Sequence, residues 1–325
     1  MGQGGFFEDL HIDIADIEAR LASEDAATRR IALMELAESA SPEGEAILVR
    51  ALFDADASVR REAAAGLEQF DGLAAATALA RALLDDDALV SEAAAKSLCD
   101  LRSPDAAPPL LALIDHARAD VRAAAWRGLR ALRVEAALTP ALAAALDPHP
   151  QVRREAIGVL AYLKQAEVIP VLTQAVTDDN VDVRRAAIAG LAFAPPEAAL
   201  AAVVAGLNDD HWQARETAAL LAGKSKVIAA SVALRAALGD AFWQVRGKAA
   251  QALGKLGAVE AIPELGALIS HEVSNLRKDV AGALGDIGHV DALPFLLRAE
   301  HDVDPDVRKI ARWSVGLIRS RSQQA

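Results

Sequence analysis

An arginine returns at one fixed interval through almost the whole chain, and that interval limits what the chain can fold into. The positions are Arg29, Arg60, Arg122, Arg153, Arg184, Arg215, Arg246, Arg277 and Arg308. Each step is 31 residues, or 62 where Ser91 holds the intervening place. A period of this size marks a stack of supersecondary units, none of which can bury its apolar face alone. Ten repeats fit, beginning at residues 11, 42, 73, 104, 135, 166, 197, 228, 259 and 290. They predict one repeat array over 11–320, an N-terminal cap segment over 1–10 and a polar tail over 321–325.

Other columns keep the register. Three residues after the arginine slot stands alanine in nine of ten repeats, from Ala32 to Ala311, with Val280 the exception. Seven after it stands leucine in eight, with Ala222 and Val315 the others. Valine precedes the slot in seven. Apolar positions at −1, +3, +7 and +10 share one helical stripe, so this segment is an amphipathic helix. Asp-rich turns such as Asp85-Asp86-Asp87 precede it and supply caps and favourable charge. A second helical segment fills the other half of each repeat, as in Glu135–Leu146, Val168–Val176 and Val259–Ile269. Pro170, Pro263 and Pro294 share a column near its start, where a missing N–H is tolerated. No strand pattern accompanies them, and the expected fold is an all-α solenoid of ten helix pairs.

Composition narrows the function classes. The chain has 34 Lys+Arg against 46 Asp+Glu, a formal charge of −12, which opposes binding to polyanionic nucleic acid. No apolar run reaches the ~18 residues of a membrane span. The start of the chain lacks a basic leader, and Cys99 is the single cysteine, so neither a secretory signal nor a disulfide framework is expected. A cytoplasmic protein, monomeric or weakly dimeric, is the expectation. Phe6 and Phe7 are expected to cover the open end of the first repeat.

Segments such as Asp56-Ala-Ser-Val-Arg-Arg-Glu-Ala-Ala-Ala-Gly-Leu67 resemble HEAT repeats of the short type associated with phycobilin lyases. The resemblance covers about residues 11–320. It implies a right-handed superhelix whose Val-Arg helix lines the concave side. It implies a scaffold or adaptor for a protein or peptide partner, with a lyase-like or tetrapyrrole-maturation subunit as the alternative.

Chemistry is harder to find. The histidines are His11, His116, His149, His211, His271, His289 and His301. His149 and His211 share a column two repeats apart, about 20 Å at the ~10 Å spacing of packed helices, too far for one metal ion. His271-Glu272 is similar to the His-Glu pairs of HEAT-like deoxyhypusine hydroxylases, which use several such pairs where this chain has one. Gly254-Lys-Leu-Gly257 reads as a helix C-cap rather than a phosphate loop. No catalytic constellation, metal or cofactor is expected. The arginine column itself reads as structural, each guanidinium pairing with turn aspartates and carbonyls between neighbouring repeats.

Function in a solenoid sits where the repeat varies. Offsets −3, −2, +1, +2, +5 and +9 from the arginine slot face away from the apolar stripe, and in the HEAT-like arrangement they line the groove. Their charges balance at eleven of each sign, so the acidity belongs to the rest of the chain. The scarce large aromatics gather there: Tyr162, Phe193, Trp212 and Trp243, with Trp313 further on. Exposed aromatics in neighbouring repeats are the usual anchors of a binding surface. With Gln213, Glu216, Lys224, Gln244, Lys248, Gln251 and Lys255 they form a candidate amphipathic partner site over repeats five to eight. The competing reading is that Trp212 and Trp243 close gaps between repeats, as Trp126 is expected to do in the core.

Overall fold

A computed structural model describes residues 13–39 and 41–322. Phe6 and Phe7 lie outside the described residues, as do His11 and the last three positions. The described residues form helices and turns, with no strand among them. They fall into two compact units, 1–163 and 164–325. The division comes where the fifth repeat ends, so each unit is an α-solenoid segment of five helix pairs. The last helix, Pro305–Ser322, runs slightly past the expected end of the array.

The first helix of a repeat is short, and in most repeats it opens with a single 3-10 turn. Glu135–Ala137 leads into Leu138–Ala144, Ala166–Val168 into Ile169–Ala175, and Val259–Ala261 into Ile262–Leu268. Pro170, Pro263 and Pro294 stand in the first two positions of their helices, where no intrahelical donor is lost. One column of the first helices is buried throughout on the 31-residue period: Ile17, Leu48, Leu79, Leu110 and Ala141 in the first unit, then Leu172, Val203, Leu234, Leu265 and Leu296. All are buried, and truncating such a leucine to alanine costs about 3 kcal/mol.

The second helices carry the arginine register. They include Ala119–Leu132 and Pro150–Leu163 in the first unit, and Trp212–Lys224, Trp243–Leu256 and Ser274–Ile287 in the second. Within each unit they pack side by side as one layer against the layer of first helices. The +3 alanines are fully buried, which lets adjacent second helices approach closely. At Gly254 the approach is closer still: a Cβ there would stand 2.8 Å from Ala283 Cα. Gly257 ends its helix at φ 66°, the expected C-cap, and Gly288 repeats it at φ 73°. The same column places Arg133, Lys164 and Lys226 in the left-handed region. A side chain there costs about 1 kcal/mol relative to glycine. Trp126 is buried at 1% exposure, as expected of a core residue.

Candidate functional site

The arginine column is consumed by junctions between repeats. Arg184 donates from Nε and Nη2 to Asp209, 25 residues on, at 2.6 and 2.8 Å. Its Nη1 donates backwards to the carbonyls of Asp178 and Asp179 at 2.9 and 3.2 Å. The same bidentate rung joins Arg29 to Asp54, Arg60 to Asp85 and Arg122 to Asp147 in the first unit. It joins Arg215 to Asp240 and Arg277 to Asp302 in the second. Each of these aspartates also accepts the backbone N–H two residues ahead, which orders the turn entering the next second helix. One planar fork thus fixes two turns at once.

These carboxyls titrate low. The hydrogen bond from Arg29 holds Asp54 below the usual carboxylate range, and Arg60 and Arg277 do the same for Asp85 and Asp302. At Asp147, Asp209 and Asp240 burial pushes upward most strongly, but the arginine and the backbone N–H together outweigh it.

Two rungs depart from the pattern. In the third repeat Ser91 replaces the arginine and donates to the Leu83 carbonyl at 2.9 Å, and His116 stands where the partner aspartate belongs. Both halves of that rung are gone. In the eighth repeat only one half is changed. Arg246 remains, and His271 occupies the aspartate position. Arg246 Nη1 lies 3.2 Å from His271 Nε2, while His271 Nδ1 accepts the Val273 N–H at 3.1 Å. A neutral imidazole has one acceptor nitrogen, and here both are faced by donors. His271 and Glu272 lie in the turn before Ser274–Ile287, and among the described residues no group of three potential ligands is placed to hold a metal.

The eleven expected site residues lie on the second helices or the turn that follows one of them; Tyr162, Lys224 and Lys255 are exposed and the other eight half-buried. In the first unit, Tyr162 is 43% exposed, with Arg130 and Arg133 5.8 and 5.6 Å from its ring centre. The other ten lie in the second unit. Phe193 is half-buried in the 3-10 turn that follows Val181–Gly190. Trp212 and Trp243 are half-buried first residues of their helices. The ring partner of Trp212 is Phe242, stacked at 5.4 Å and 16°, with Arg215 5.8 Å from the same phenyl ring. Gln213 and Glu216 are half-buried on the turn after Trp212, and Lys224 and Lys255 are exposed at the far ends of their helices. Gln251 donates to Asp279 at 2.8 Å and approaches Lys248 Nζ at 3.5 Å, so these residues form a chain across two repeats. Gln244 is half-buried and its Oε1 has no partner.

Three contributors escape the sequence reading. Phe242 occupies an N-cap position that is polar in every other repeat except at Val273, and that departure is the available signal. Arg130 and Arg133 sit outside the chosen offsets and reach Tyr162 through side-chain length. On the opposite layer, Phe53, Leu73 and Leu84 are exposed around an apolar cavity of about 840 Å³, with Arg81 4.3 Å over the Phe53 ring.

Known proteins place this architecture. The family model for HEAT repeats matches residues 14–99, 139–222 and 231–316, and the PBS lyase HEAT-like repeat matches 92–116. No curated protein sequence matches the chain. An engineered protein of known structure is similar over 95% of this chain and 99% of its own, at 22% identity and a TM-score of 0.51. The chain is also similar, at 14% identity and a TM-score of 0.60, to one in a structure where Kap95p binding induces the switch loops of RanGDP to adopt the GTP-bound conformation. That match covers 94% of this chain and half of the other. At these identities the two structures speak for the fold, while the repeat models span most of the sequence: the chain belongs to the HEAT-repeat family.

Proposed function

We propose that this protein is a non-enzymatic scaffold that holds a protein or peptide partner on the exposed side of its second helices. The observation that carries the reading is the division of labour on those helices. The recurring arginine is spent on junctions, and the non-recurring positions carry large side chains that reach solvent, Tyr162 at 43% and Trp313 at 62% exposure and Phe193, Trp212 and Trp243 half-buried. Exposed aromatics on a rigid layer lose little entropy on binding, which is why they dominate interface energetics. A repeat scaffold of this family is suited to protein binding. The partner site proposed in the second unit is built on Phe193, Trp212 and Trp243, with Lys224, Lys248 and Lys255 beside them.

The test is capture of partners from native lysate by the intact protein and by the Trp212→Ala/Trp243→Ala variant. Capture is expected to fall by about tenfold or more, the size of a hot-spot loss, while circular dichroism and the melting temperature stay near those of the parent. Loss of capture together with unfolding assigns the tryptophans to packing instead.

A second reading is favoured by the PBS lyase HEAT-like match at 92–116. A lyase-like or cofactor-maturation subunit would stack a tetrapyrrole on the same aromatics and hold its carboxylates with the neighbouring cations. Absorbance titration with bilins or haem decides this, and an unchanged spectrum at micromolar ligand rejects it.

A further inference from the structure

Four arginines outside the recurring column gather around the second helices Ala119–Leu132 and Pro150–Leu163, with Arg133 at the C-cap of the first. Arg127 Nε donates to Glu155 Oε1 at 3.2 Å, Arg154 Nη2 donates to the same oxygen, and Arg130 Nη1 lies 3.7 Å from Oε2. Arg130 and Arg133 flank Tyr162. Gly158 leaves the space Arg130 needs, since a Cβ there would stand 3.2 Å from Arg130 Cδ.

The charges do not balance. The Glu155 side chain is 4% exposed, while those of Arg127, Arg130 and Arg154 are 36–41% exposed. One buried carboxylate gathers three guanidiniums from below, and a fourth stands beside them. Of the neighbouring acids, Asp120 is answered by Arg118 at 2.6 Å, Asp100 by Arg102 at 3.7 Å and Asp147 by Arg122, while Glu92, beside Arg127, offsets one further charge and leaves the four arginines in excess. The patch therefore carries an excess of positive charge in a chain of net charge −12. Guanidiniums held half out of water attract an anion more strongly than freely hydrated ones, and their forks match carboxylates in particular.

The shape favours several anions over one. Arg127 and Arg130 stand one three-residue step apart, about 4.5 Å along the helix at 1.5 Å per residue, and Arg133 follows at the left-handed cap. Beside Arg127 a cavity of about 230 Å³ opens at Ser91, where the missing arginine leaves room. Glu92 and Asp120 line it together with Arg127, so that pocket suits a neutral side chain.

We infer that this face of repeats four and five binds an acidic segment of a protein partner, with carboxylates on Arg127, Arg130, Arg133 and Arg154 and an apolar side chain against Tyr162. The inference rests on the scaffold reading and gives the partner a chemistry. A short chain fits within the patch, and repulsion from the surrounding acidic surface is screened beyond about 8 Å at physiological salt. A nucleic-acid duplex extends past the patch over that acidic surface.

The test uses the full chain and a fluorescein-labelled twelve-residue peptide of alternating Glu and Ala with one central Phe. Its Gln counterpart and a labelled single-stranded DNA serve as controls. Fluorescence anisotropy is expected to show binding of the Glu peptide, weakened by added salt, and at least tenfold weaker binding of the other two. Arg130→Gln should lower affinity about tenfold, the worth of a charge-assisted hydrogen bond. Arg133→Gly is the control for folding, because glycine suits the left-handed backbone at φ 53°. It should keep or raise the melting temperature while lowering affinity several-fold. Absence of peptide binding, binding unchanged by both variants, or DNA binding as tight as the peptide each overturns the inference. Failure here with partner capture still lost in the Trp212/Trp243 variant leaves the scaffold reading standing.

Discussion

Arg184 and Asp209 show how one side chain organises a repeat. The guanidinium reaches carbonyls behind it and a carboxylate 25 residues ahead, so two turns are held by one planar group. The partnering is legible in the sequence because the column recurs whatever its neighbours are. What was not legible is that the aspartate is bidentate and also orders its own turn. Six such carboxylates titrate below their ordinary range. As pH falls, the unfolded chain binds protons first, so stability falls with it. The contribution is fully present above the unfolded aspartate value of about 3.9 and is lost as pH drops through the lower folded values. Thermal melts should be flat from neutral pH to about pH 5 and should fall steeply below about pH 4. The Asp209→Asn variant should begin from a lower melting temperature and show a shallower acid limb. A parent profile that stays flat to pH 3 would show that the rungs hold nothing.

At the scale of the helix pair, the second helix is well predicted and the first less so. Its arginine, alanine and leucine columns keep one period over four turns. The first helix is short and in most repeats begins with a 3-10 turn, which blurs the 3.6-residue pattern, so its buried, mostly leucine column from Ile17 to Leu296 emerges only in the structure. By the same logic the junction after repeat eight is weak, with one half of its rung changed where repeat three lacks both. Arg246 meets a histidine in place of a carboxylate, and both ring nitrogens of His271 are faced by donors. His271→Asp should restore the bidentate rung seen at Arg215 and Arg277. Urea denaturation should then give about 2 kcal/mol more stability, the net worth of hydrogen bonds to a charged partner. An unchanged or lower midpoint would mean that the imidazole already satisfies the junction.

For the molecule as a whole, stability is approximately a sum over repeats and junctions, and the proposed scaffold role leaves binding to positions that do not recur. The candidate face was partly legible. Tyr162 and the tryptophans stand out by rarity and Phe242 by its departure from a mostly polar column, whereas Arg130 and Arg133 reach Tyr162 through side-chain length that no column reveals. The central claim is that the second helices, not the first, receive the partner. Hydrogen exchange of the full chain, free and bound to a captured partner, tests it most directly. The account predicts slowed exchange concentrated in second helices, among them Ala119–Leu132, Pro150–Leu163, Trp212–Lys224 and Trp243–Leu256. Protection confined to the first helices, around the cavity at Phe53, Leu73 and Leu84, would contradict it.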